Sequence, residues 1–188
     1  MSSFYSEDEL KNICFKSIGK NVLISRNATI YSPQKMSIGD NVRIDDFSIL
    51  SGKITIGNYV HISAGVYLYG GNSGIEIENF AGISAKSTIY AESDDFSGEY
   101  MVGSMVDMEF RNLIAGKVVL KKYVQLGAST VVLPNVLLNE GSATGVNTLV
   151  NKNLESWTIY TGTPAKKMKE RKMDILELEK KFLQKERG

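Results

Sequence analysis

Four groups of residues in this chain have types and spacings suited to chemistry. The acidic run Glu92-Ser93-Asp94-Asp95 holds three carboxylates within four residues. A carboxylate in such a place can orient an ammonium group and accept or relay its proton. His61, in Tyr59-Val60-His61-Ile62, is the single histidine, and its ordinary reading is a surface or corner side chain. Lys166 and Lys167 follow the turn Gly162-Thr163-Pro164-Ala165, with Lys169, Arg171 and Lys172 close behind, a group of cations able to face phosphates. Small residues recur at Gly127-Ala128 and again at Ser142-Ala143-Thr144-Gly145, so that Gly127 and Gly145 are 18 positions apart.

The elements that must position these groups repeat every six residues. An aliphatic residue returns as Ile18, Ile24, Ile30, then as Ile38, Ile44, Leu50, Ile56, Ile62, Leu68, then as Ile77, Ile83, Ile89. After a long break it returns as Leu120, Leu126, Val132, Leu138, Thr144, Val150, where Thr144 is the exception. Four residues after each slot a small or β-branched residue is frequent, as at Val42, Ser48, Val60, Val66, Ser87, Val124, Thr130, Val136, Ser142 and Thr148. A period of six is neither helical nor heptad. It fits short strands that turn a corner every six residues, three faces closing a triangular coil of about 18 residues, with stacked coils burying one aliphatic column. An ordinary antiparallel β-protein repeats less strictly.

With 188 residues, 43% hydrophobic and 23% charged, the chain has the material for one soluble domain with a sizeable core. Its formal net charge of +1 offers no global field for nucleic acid or an anionic membrane. Cys14 is the one cysteine, so an internal disulfide is impossible and no metal-binding CxxC exists. The first residues have neither a basic nor an apolar signal region, and no run of 18 apolar residues occurs, so a cytoplasmic location is expected. A single histidine excludes a three-histidine zinc site, and no metal is expected.

These hexads resemble the hexapeptide-repeat acyltransferases, and in particular the branch of maltose, galactoside and surface-polysaccharide sugar acetyltransferases. The resemblance also rests on Leu126-Gly127-Ala128-Ser129-Thr130-Val131-Val132-Leu133-Pro134 and on Gly162-Thr163-Pro164-Ala165-Lys166, and it covers about Ile18 to Lys169. It implies an all-β fold, a left-handed parallel β-helix. Residues 1–17 then form a helical cap, 18–154 the β-helix with an excursion at 95–117, and 155–188 a closing turn and a helix, read from Lys166 onward. Ser6 and Glu9 have capping-box spacing and open a short helix over 6–15. The resemblance further implies a homotrimer, an active site between subunits, and an acyl-CoA, such as acetyl-CoA, as co-substrate. Gly127, Ala128, Ser142, Ala143 and Gly145 would then contact the pantetheine arm, and Lys166 and Lys167 the phosphates.

One departure matters for the reaction. The family's sugar O-acetyltransferases carry a histidine just before the long excursion, and the matching slot here is Asp94. A hydroxyl needs a base near neutrality, whereas an amine becomes nucleophilic by losing a proton near its own pKa. The expectation is therefore N-acylation of an amino sugar, free or nucleotide-linked, in surface-polysaccharide (lipopolysaccharide or O-antigen) synthesis. Asp94 would be catalytic, and Glu92, Asp95, Tyr69 and His61 would surround the acceptor. A sugar O-acetyltransferase with His61 or Asp94 as base, and a non-catalytic scaffold, remain open readings.

Overall fold

The structure, a computed structural model, describes residues 3–187. Met1 and Ser2 of the expected cap and Gly188 of the expected tail lie outside the described residues.

Short strands stack in parallel on three faces. On the first face the in-register column is Ser17, Ser37, Thr55, Glu76, Val119 and Leu137. On the second it is Leu23, Arg43, His61, Gly82, Gln125, Ala143 and Ile159. On the third it is Thr29, Ile49, Tyr67, Thr88, Val131 and Leu149. The chain visits the faces in that order and climbs one rung per circuit, which makes a left-handed parallel β-helix of about 7 turns. The expected fold class is the one found.

The six-residue period exists because each face offers one large inward position. Ile24, Ile44, Ile62, Ile83 and Leu126 fill the second face's inward column at 0–1% exposure. Burying each such side chain contributes roughly 1.5–3 kcal/mol. Ile18 and Ile30, in the first coil, are only partly buried. The smaller inward position near each corner is Val42, Val60, Val66, Val124 or Val136, or a buried hydroxyl residue such as Ser48, Ser87 or Thr130. Thr144 breaks the aliphatic slot but keeps the hydrogen-bonding rule for buried polar groups. Its Oγ1 lies 2.9 Å from Thr130 Oγ1 and accepts from Gly127 N–H at 3.0 Å.

Corners are made by residues in the left-handed region. Between the first and second faces these are Asn21, Asn41, Tyr59, Phe80, Tyr123 and Trp157, with φ between 51° and 62°, and Gly141 at φ 67°. Each turned amide can then bond to the coil before it, as when Tyr59 N–H donates to Asp40 C=O at 3.0 Å. Asparagine tolerates this conformation and aromatic residues resist it. Here the aromatic rings regain contact by stacking, Tyr59 on Phe80 at 4.7 Å between centroids and 5° between planes.

Both ends are closed. Helix α1 (Glu7–Asn12) has Ser6 as N-cap with the full capping box to Glu9, and its Leu10 covers the first coil at 4% exposure. It stops short of residue 15, because Cys14 turns to φ 59°. At the other end the expected helix from Lys166 is corrected. Lys166–Glu170 is a strand, antiparallel to Thr158–Thr161, and α2 runs only over Ile175–Arg187. An open last coil leaves a row of unpaired N–H and C=O groups, and this strand satisfies them. No described helix is long and apolar enough to cross a membrane.

The excursion leaves the third face as a hairpin. Glu92–Asp94 pairs antiparallel with Leu113–Ala115, so the departure begins at Glu92 rather than at Asp95. Phe96, Met101, Met105, Met108 and Phe110 on this arm are exposed.

Candidate active site

A cleft of about 730 Å³ opens where the hairpin leaves the β-helix, lined by Tyr69, Tyr90, Glu92, Ser93, Asp94, Phe96, Arg111, Leu113 and Leu133. Its floor is aromatic. Tyr69 and Tyr90 occupy adjacent rungs of the third face and stack at 5.3 Å with 17° between planes. Burial, together with the neighbouring Tyr90, pushes the Tyr69 phenol above its usual value, so it stays a neutral donor at physiological pH.

The three carboxylates of the acidic run have separate environments. Glu92 Oε1 accepts from Asn72 N–H at 2.7 Å, from Ser73 N–H at 2.9 Å and from the Ser73 hydroxyl at 3.0 Å. Burial alone would raise its pKa, but these bonds outweigh it and hold the group below its usual value. Glu92 thus lines the cleft while fixing the turn that follows Gly71. Asp95 does not line the cleft within a single chain. Its Oδ1 accepts from Ser97 N–H and its Oδ2 from Asn112 Nδ2, both at 2.8 Å, so it closes the base of the arm. Asp94 faces the cleft with its side chain 23% exposed. Its Oδ1 accepts from Arg111 Nη2 at 2.7 Å, and its Oδ2 has only a longer bond, from Gly103 N–H at 3.3 Å. The Arg111 hydrogen bond holds this carboxyl below its usual range, against the effect of burial.

His61 lies apart from the acidic run within a single chain. It stands on the second face, in a separate cavity with Tyr59, Phe80, Ser84 and Gln125, and no residue of that cavity lines the Asp94 cleft. Its Nε2 lies 2.8 Å from Asp45 Oδ2, and Arg43 Nε donates to Asp45 Oδ1 at 2.7 Å. That arrangement holds the ring on the second face, the face that also carries Gly127, Gly145 and Lys166.

The expected donor residues divide. Gly145 follows Gly127 by one coil, with Gly127 N–H donating to Thr144 C=O at 3.1 Å. A Cβ on Gly145 would meet Thr161 Oγ1 at 3.0 Å, and Thr161 pairs in register with Lys166. Gly127, Gly145, Thr161 and Lys166 therefore form one column that ends in a cation, with Ala128 beside its start. Ser142 and Ala143 precede Gly145 on the same coil and are buried, at 0% and 8% exposure. Lys167 Nζ is engaged by Glu170 at 2.8 Å and Glu155 at 3.3 Å. Arg171, named beside the cations, holds the end of the chain instead: its Nη1 donates to Tyr123 C=O at 2.7 Å and Gly141 C=O at 3.0 Å.

Arg111, the ion-pair partner of Asp94, is not among the residues expected from the sequence. Arg111 had a legible signal, as the one cation between Lys86 and Lys117 in a stretch that also carries Glu92, Asp94, Asp95, Glu99, Asp107 and Glu109. Tyr90 and Leu133 had none beyond their register with Tyr69.

Comparison with known proteins agrees with this geometry. Residues 35–70 match the family model described as bacterial transferase hexapeptide (six repeats). A dTDP-4-amino-4,6-dideoxy-D-glucose acyltransferase of Escherichia coli is 39% identical over 183 residues, spanning 96% of this chain and 95% of that protein. The structure of AntD, an N-acyltransferase from Bacillus cereus in complex with dTDP and 3-hydroxybutyryl-CoA, superposes with a TM-score of 0.98 at 52% identity and covers 100% of both chains. Perosamine N-acetyltransferase from Caulobacter crescentus shares the fold at a TM-score of 0.59 and 18% identity, over 78% of this chain and 56% of that one. With a coiled aliphatic prism, an acidic cleft in place of a histidine and relatives of this length and identity, the chain belongs to the hexapeptide-repeat acyltransferases, as an acyl-CoA-dependent sugar N-acyltransferase.

Proposed function

We propose that the acceptor is a dTDP-linked 4-amino-4,6-dideoxyhexose, and that Asp94 orients its amine for attack on the thioester. The observation that carries this reading is the Asp94 carboxylate, which faces an aromatic-floored cleft with Oδ2 lightly held. An ammonium group placed there gains a charge-assisted hydrogen bond. Once it sheds a proton, the nitrogen attacks the thioester carbon, the C–S bond breaks, and the departing thiolate of coenzyme A takes up one proton as the amide forms. No strong base is needed, which agrees with an aspartate in place of histidine. The similarity to the Escherichia coli acyltransferase and to AntD supports the acceptor class, and the solved structures of AntD include D94A and D94N variants.

The donor column of Gly127, Gly145 and Lys166 lies on the second face, and none of its residues lines the cleft on the third-face side. One chain therefore presents an acceptor half and a donor half in different places. We infer that the protein works as a homotrimer in which the cleft of one copy meets the donor column of the next. The setting is the cytosol, where acyl-CoA and nucleotide sugars meet, and the product serves surface-polysaccharide synthesis.

The test is acyl transfer by purified protein from acetyl-CoA and 3-hydroxybutyryl-CoA to dTDP-4-amino-4,6-dideoxyglucose and to its 4-hydroxy counterpart, with products read by mass spectrometry. Acylation of the amine alone is expected. Equal acylation of the hydroxy sugar would remove the reading, and a monomer by light scattering would remove the shared site.

A further inference from the structure

The excursion does more than wall the cleft, because its last turn delivers Arg111 onto Asp94. Asp94 pairs with Leu113 across the hairpin, which sets residue 111 just beyond the paired rungs. Arg111 is nearly buried, with its side chain 12% exposed. Its N–H donates to Met108 C=O at 3.2 Å, and residue 111 bridges to Met101 on the outgoing limb. The guanidinium is otherwise poorly satisfied. Nη1 reaches only Met108 Sδ at 3.7 Å, and the buried Nε has no hydrogen-bond partner among the described residues. A buried guanidinium with an orphan N–H is a poor structural choice, since an arginine placed for the fold normally fills its fork. Its one strong bond goes to Asp94 Oδ1, leaving Oδ2 turned to the loosely held Gly103 amide.

We propose that Arg111 is a positioning residue for acyl transfer, holding one oxygen of Asp94 so that the other is fixed toward the acceptor amine. This rests on the reading that Asp94 binds that amine. By fixing one oxygen, Arg111 removes the rotation of the carboxylate about its own bond. It also keeps Asp94 an anchor of fixed charge rather than the acceptor of the amine's proton. The arm is thereby coupled to the reaction: whatever orders residues 95–111 also aims Asp94.

The experiment is a double-mutant cycle on the full-length enzyme, with steady-state kinetics for Arg111→Gln, Arg111→Lys, Asp94→Asn and the double variant Arg111→Gln/Asp94→Asn. Arg111→Gln is expected to lower kcat about 10–100-fold while the KM for acyl-CoA stays unchanged, and Arg111→Lys to recover part of that loss. The double variant is expected to be no slower than Asp94→Asn alone, since Arg111 acts only through Asp94. A kcat for Arg111→Gln near the parent's, or losses that multiply in the double variant, would overturn the proposal. Should Arg111→Gln not fold, the same cycle with Arg111→Lys decides, its loss having to vanish in the Asp94→Asn background. Parental turnover by Asp94→Asn would instead sink the reading of Asp94 itself, so the two failures are distinguishable.

Discussion

Gly127 lies directly against Gly145 of the next coil: a Cβ built on Gly127 would stand 2.5 Å from the carbonyl carbon of Gly145. Coil spacing is set by the hydrogen bonds between rungs, so that backbone cannot retreat. Gly127→Ala is expected to destabilise the protein by about 1–3 kcal/mol, the usual cost of overpacking. Gly145→Ala meets Thr161 Oγ1 at 3.0 Å and Thr161 Cβ at 3.3 Å, a side chain rather than a backbone, and should cost less. Denaturant unfolding of the two variants checks the order. Gly127 is therefore required by the stack as well as by any donor, and activity loss in Gly127→Ala alone does not identify a donor contact.

The charge on Asp94 has a pH consequence. The Arg111 hydrogen bond, helped by the Gly103 amide, depresses its carboxyl below the ordinary aspartate value near 3.9. A depressed folded-state pKa gives stability that is present above the unfolded value and lost as pH falls through the folded one. Asp94 therefore stays ionised throughout any neutral assay. The acid limb of kcat/KM is expected to follow the acceptor's ammonium group. An acceptor analogue whose amine is less basic by about one pKa unit should move that limb down by about one pH unit, read from the pH profile. A limb that ignores the amine's basicity would contradict this.

The cap over the first coil carries its own titration. Glu9 is lowered to about 2, first by its hydrogen bond from Arg26 and then by the Ser6 backbone and hydroxyl. The sign is the same as for Asp94. The cap's contribution is complete above the ordinary glutamate value near 4.3 and is lost as pH falls from about 4 toward about 2. Glu9→Gln should flatten the fall in melting temperature across that window. Ser6→Ala, which removes the N-cap acceptor, should cost about 0.5–2 kcal/mol at neutral pH.

The hexad pattern was legible because the prism repeats one physical demand, a large inward aliphatic residue per face. Even the exception at Thr144 kept the inward direction and found Thr130 as its partner. Asp94 stands out in the sequence because it lies where the chain leaves the repeat. Asp95 and Glu92 looked equivalent to it, since a sequence shows three carboxylates and not their partners. Ser97 with Asn112 claims Asp95, and the amides of Asn72 and Ser73 claim Glu92. Apart from Ser97, those donors lie 17 to 20 residues away in the chain, beyond the reach of local spacing. The tail misled for the opposite reason. Lys166 to Glu170 has a charged, helix-like composition, but the unpaired edge of the last coil recruits it as a strand.

An aromatic ladder runs along one corner of the prism. Tyr59, Phe80 and Tyr123 stack along the corner between the first and second faces, and Trp157 continues the column at 5.8 Å from Tyr123. Helix α2 lies on this ladder. Phe182 meets Tyr59 edge-on at 5.3 Å and 83°, and Glu179 accepts from both the Tyr123 hydroxyl and Lys122. The chain is led there by Arg171, which bonds to the carbonyls of Tyr123 and Gly141 on adjacent coils. Its burial pushes the guanidinium pKa down from its usual value. Arg171→Ala leaves two carbonyls without their charged donor and should destabilise by about 1–3 kcal/mol. Because the loss is concentrated at the docking of α2, hydrogen exchange should rise first in Ile175–Arg187 and at the amides of Tyr59 and Phe80, while the coils around Ile62 and Leu68 keep their protection. Uniform loss of protection along the whole stack would show that Arg171 supports the prism itself rather than the seating of the helix.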